Sequence, residues 1–64
     1  MNSEAKEVTV ILKDSERSYR QKFLCYEDVV LSEDDPIIKE FIEEAMKSAK
    51  FTPEDVKVRV LLQV

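Results

Sequence analysis

Between Val8 and Lys13 apolar and polar positions alternate, with Val8, Val10 and Leu12 on one side and Thr9, Ile11 and Lys13 on the other. A period of two sends successive side chains to opposite faces, so this stretch predicts a strand with one buried face. The polar run Asp14, Ser15, Glu16 predicts a turn, and its lack of Gly and Asn favours a connection longer than the tight two-residue hairpin. A second strand is expected from about Arg17 to Tyr26. One of its faces holds Tyr19, Gln21, Phe23 and Cys25, and the other Arg20, Lys22, Leu24 and Tyr26. Setting Lys13 opposite Ser18 brings Leu12 beside Tyr19, Val10 beside Gln21 and Val8 beside Phe23 on the core side. A slip of one residue would bury Arg20 and Lys22, which costs far more than burying Gln21 with a partner.

The segment Asp28 to Asp35 is a connector in which Val29, Val30 and Leu31 are expected to pack under the sheet or beside a helix, because three exposed aliphatics in a row would form an unexplained patch. Asp35 followed by Pro36 is a helix start: the carboxylate caps the first N–H groups, and proline fills a position where a missing N–H does no harm. From Pro36 onward Ile37, Ile38, Phe41, Ile42, Ala45, Met46 and Ala49 recur at three- and four-residue spacing, while Lys39, Glu40, Glu43, Glu44, Lys47 and Lys50 face the other way. This is an amphipathic helix of about four turns. Thr52, Pro53, Glu54 and Asp55 predict a tight turn that ends it. The last strand then runs from Val56, with Val56, Val58, Val60, Leu62 and Val64 inward and Lys57, Arg59, Leu61 and Gln63 outward.

Two strands, a helix and a third strand give an α+β domain of β-β-α-β order. A right-handed crossover over the first strand yields a three-stranded antiparallel or mixed sheet in spatial order 2-1-3, with the helix packed on one face. That order resembles, in topology alone, the opening part of a β-grasp domain, which adds a further strand after its helix. The resemblance implies no function. Residues 1–64 read as one small domain whose first six residues are expected to be flexible.

Composition narrows the chemistry. With 64 residues the chain can build one small core of marginal stability, and 44% hydrophobic residues are enough to fill it. There is no Gly and no His. The first excludes glycine-rich phosphate loops, and the second removes the commonest general base and any His-based metal site. Cys25 stands alone, so no internal disulfide forms; it reads as core filler, with a reactive thiol as the alternative. Glu33, Asp34 and Asp35 read as helix-start charges, with a hard-cation site as the alternative that lacks the required ligand spacing. No stretch is long and apolar enough to span a bilayer, and no secretory signal is visible, so a cytoplasmic location is expected.

Ten Lys and Arg against fourteen Asp and Glu give a net charge of −4, yet the sheet face opposite the helix gathers half of the positive residues. Lys13, Arg20, Lys22, Lys57 and Arg59 fall there, with Ile11, Leu24, Tyr26 and Leu61 among them and Glu7 as the one opposing charge. A solvated mixed surface, a protein contact and a weak single-stranded RNA platform all fit such a face. The final strand, if it lies at the sheet edge, offers backbone groups for pairing with a second copy or a partner peptide, unless twist and the residues around Val29 cover it. The expectation is therefore a small non-catalytic interaction module, self-associating as a homodimer or bound to a protein partner through Lys13, Arg20, Lys22, Leu24, Tyr26, Lys57, Arg59 and Leu61. Nucleic-acid binding is the alternative. No cofactor, metal, membrane or small-molecule ligand is implied.

Overall fold

A computed structural model describes residues 5–63. Its elements follow the order β1 (Lys6–Lys13), β2 (Ser18–Cys25), α1 (Pro36–Ala49) and β3 (Lys57–Gln63). The sheet runs β2-β1-β3 and both pairings are antiparallel, which is the predicted α+β arrangement with the first strand at the centre. Lys13 lies opposite Ser18, Leu12 opposite Tyr19, Val10 opposite Gln21 and Val8 opposite Phe23, the register that keeps Arg20 and Lys22 out of the core. Gln21 finds its partner next door, since the Tyr19 hydroxyl donates to its Oε1 at 2.9 Å. Among the described residues the sheet stops at three strands, without the further strand of a β-grasp domain.

Element ends depart from the alternation. β1 starts at Lys6, opposite Cys25, where the lysine ammonium meets the Asp28 carboxylate. Of the six residues expected to be flexible, 1–4 lie outside the described residues and Lys6 belongs to β1. Arg17 falls in the turn and Tyr26 lies just past β2, while Val64 is outside the described residues. The β1–β2 connection comprises residues 14–17, closed by a side chain where another chain would use glycine. The Asp14 carboxylate accepts from the N–H groups of Glu16 at 2.8 Å and Arg17 at 2.6 Å, and the Asp14 N–H donates to the Arg17 carbonyl at 3.0 Å.

Val8, Val10 and Leu12 are fully buried beneath Ile38, Ile42 and Ala45 of the helix, with Cys25 and Phe51 completing the core. Phe23 stacks on Phe41 at 4.5 Å between ring centroids. Phe51 lies outside the predicted helical stripe; the helix end brings it in. Lys50 adopts a left-handed conformation, φ 56°, and the Phe51 N–H donates back to the Met46 carbonyl at 3.1 Å, folding the ring under the helix. Glycine is the usual occupant of such a position, and in a chain without glycine a lysine bears the steric cost.

Both helix ends are held by charged side chains from elsewhere in sequence or from the preceding loop. At the start, one Asp35 oxygen accepts from the N–H groups of Ile37 at 2.9 Å and Ile38 at 3.4 Å, while the other accepts from Val30 at 3.0 Å. The connector is thereby wound onto the cap. Its turns, including Ser32 N–H to the Val30 carbonyl at 2.7 Å, leave Val29 packed on the core but Val30 and Leu31 67% and 47% exposed. Three successive side chains cannot all point inward from so tight a backbone, and the expectation that all three would pack is corrected here. At the other end the Arg17 guanidinium donates to the carbonyls of Ala49 at 2.8 Å and Lys50 at 3.0 Å and lies 4.1 Å above the Phe51 ring centroid. Unsatisfied carbonyls and the negative end of the helix dipole make this a natural seat for a cation.

Two measurements follow. Backbone N–H groups, Val30 first and then Ile37 and Ile38, hold the Asp35 carboxyl below the usual aspartate range; those of Glu16 and Arg17 do the same for Asp14, and Lys6 for Asp28. Groups whose folded pKa is depressed stabilise the fold fully above their unfolded value and lose that contribution as pH falls through the folded one. The urea midpoint is expected to drop on acidification through and below the aspartate range, and Asp35→Ala to lower the neutral-pH midpoint while making the acid dependence shallower. Arg17→Met is expected to cost about 1 kcal/mol in the same assay, with Arg17→Lys recovering only part because a single ammonium cannot bridge two carbonyls and cover a ring.

Candidate interaction surface

The register fixes what the face opposite the helix displays. Reading across β2, β1 and β3, its rows are Leu24, Glu7, Gln63; then Lys22, Thr9, Leu61; then Arg20, Ile11, Arg59; then Ser18, Lys13, Lys57. Seven of the eight residues singled out from the sequence therefore share one face. Tyr26, the eighth, is exposed but lies past the end of β2 and has no place in these rows. Thr9, absent from the eight, is buried at 7% exposure in the middle of the central strand, between Lys22 and Leu61 in its row.

Charge on this face is poorly compensated. Lys22 and Glu7 approach to 3.7 Å, whereas Lys13, Arg20, Lys57 and Arg59 form no ion pair among the described residues. Lys13 and Lys57 stand directly opposite one another on adjacent strands, a like-charge pairing that works against the sheet. The depression beside them, lined by Lys13, Asp14, Ser15, Asp55 and Lys57, is open and mixes both charge signs. Five positive and one negative residue on the open face leave the remainder of the chain strongly acidic, given −4 overall.

Aromatic rings are absent from these rows. Tyr19 and Phe23 turn to the helix side, and Phe41 and Phe51 pack with the core, so no ring stands among the cations of the sheet. Cys25 is a buried free thiol whose Sγ donates to the Glu27 carbonyl at 3.3 Å, and Lys6, which lies opposite it in the register, directs its ammonium to the Asp28 carboxylate. Asp35 is engaged as the helix cap, and no cluster of His, Cys, Asp or Glu among the described residues has the geometry to hold a metal ion. No helix among them is long and apolar enough to cross a membrane.

Comparison with known proteins finds no matching family model, no similar curated protein and no similar solved structure.

The edge of β3 is the second feature of note. β3 pairs with β1 on one side only, and the helix lies chiefly over β1 and β2. As a result Val58, Val60 and Leu62 are only half-buried on the helix side, and Leu61 is 46% exposed on the other. β2 is the opposite edge and carries Arg20 and Lys22 in the middle of its run.

The Lys13–Lys57 opposition gives a direct test of the charge assignment. Lys57→Glu is expected to stabilise the fold by roughly 0.2–1 kcal/mol at low salt, with most of the gain lost in 1 M NaCl, in thermal melts at low protein concentration.

Proposed function

We propose that this chain is a small non-catalytic protein-interaction module that self-associates through the free edge of β3, in a cytoplasmic setting where a lone thiol stays reduced. One observation carries the reading: the β3 edge is unpaired while the aliphatic residues along it, Val58, Val60, Leu61 and Leu62, are incompletely covered. Free edges in soluble domains are ordinarily blunted by charge, a bulge or a covering segment. Here Lys57 and Arg59 do so over the first half of the strand, and no charged side chain follows them within β3. The lack of His and the burial of the single thiol support a role without catalysis.

A second reading, single-stranded RNA on the open face, is favoured by the unpaired cations Lys13, Arg20, Lys57 and Arg59. Against it, no ring on which bases could stack stands in the rows of that face, and the one exposed ring, Tyr26, lies past the end of β2.

Sedimentation over about 1 µM to 1 mM protein, with a melt at each concentration, separates the two. Self-association predicts a dimer mass at the upper end and a melting temperature that climbs with concentration. A monomer throughout, together with RNA binding that weakens steeply with salt, would transfer the function to the open face.

A further inference from the structure

From the sequence of charges along β3 we infer the partner and its register: a second copy of this chain, with the two β3 strands antiparallel about a two-fold axis through Val60. The inference rests on the reading of the β3 edge as a self-association surface and makes it specific.

A two-fold dimer sets a strand against its own reverse. Residues directly opposed across an antiparallel pair share a face, so an axis passing between two residues would oppose Lys57, Arg59 and Leu61 of one copy to the helix-side aliphatics of the other. Only an axis through a residue keeps like faces together. Centred on Arg59, that arginine meets itself; centred on Val58, Lys57 meets Arg59 of the second copy. Centred on Leu61, Lys57 and Val58 lose partners within the described strand.

Centring on Val60 uses all seven residues of β3. It places Lys57 opposite Gln63, Val58 opposite Leu62, Arg59 opposite Leu61 and Val60 opposite itself. No like charges oppose, and the aliphatic stem of each Arg59 covers the exposed Leu61 of the other copy. The half-buried Val58, Val60 and Leu62 then adjoin their equivalents on the helix side, in a six-stranded sheet with both helices on the same face. The edge of β2 is a poorer match. Axes through Gln21 or Lys22, which keep like faces together and pair most of that strand, set Arg20 against Lys22 or Lys22 against itself.

Cross-linking reads the register directly. In a Cys25→Ala background, Arg59→Cys and Leu61→Cys chains mixed under oxidised glutathione are expected to give a disulfide-linked heterodimer, with far less linkage in either chain alone because the equivalent residues are diagonal, not opposite. Without the cysteines, Leu61→Glu and Leu61→Lys share the loss of the leucine but place opposite charges against Arg59. The Glu variant is expected to dimerise at least about fourfold more tightly than the Lys variant. A wild-type monomer at every concentration would overturn both the register and the self-association reading. A wild-type dimer with no preferred 59-to-61 linkage and equal affinities for the two charge variants would overturn the register alone.

Discussion

One fourteen-residue helix has to shield one face of a three-stranded sheet, and most of the molecule follows from that disproportion. The central strand receives full cover: Val8, Val10 and Leu12 have no exposed surface. The flanking strands receive less, with Tyr19, Phe23, Val58, Val60 and Leu62 half-buried. The helix sits toward β1 and β2, where Phe41 stacks on Phe23, and the aliphatic row of β3 stays half-buried. The surface left incomplete by packing is thus also the surface left incomplete by hydrogen bonding, since β3 is an edge. With so small a core, the placement of that helix matters more than its intrinsic propensity.

Placement is achieved at both ends by charged side chains. Asp14 closes the turn between the first two strands, and the same turn presents Arg17 to the far helix end, so hairpin and helix are joined by a single side chain over more than thirty residues of sequence. Asp35 does the equivalent at the helix start by binding both the first turn and the connector that leads into it. Two carboxylates and one guanidinium therefore organise three turns. Such polar fastenings hold orientation more than they add free energy, since exposed ionic contacts contribute modestly.

Alternation and capping made the fold legible in the sequence. Val8–Lys13 and Val56–Val64 alternate cleanly, and Asp35-Pro36 marks a helix start by two independent mechanisms. The register of β2 could be chosen because only one face could accept burial, Gln21 being tolerable and Arg20 with Lys22 not. Seven residues of the open face were legible for the same reason, as the complement of the core face. β2 stops one residue short of Tyr26 because strand ends are set by pairing, which alternation does not report. Phe51 and Arg17 were missed because their roles arise from one left-handed residue and one long-range reach, neither of which leaves a periodic trace. The half-cover of β3 was equally invisible, since it depends on where across the sheet the helix settles.

The pairing of Glu7 with Gln63 and of Val8 with Leu62 joins the two extremes of the described chain, whereas β1 and β2 meet across a four-residue turn. Closing a four-residue turn costs less chain entropy than bringing the two extremes together. Without β3, the strand that is most deeply enclosed would itself be an outer strand, with the backbone groups that β3 pairs left open to any extended segment nearby. A chain whose β3 has been detached by mutation or cleavage would therefore present its own centre as an edge, and mispairing between chains would begin there.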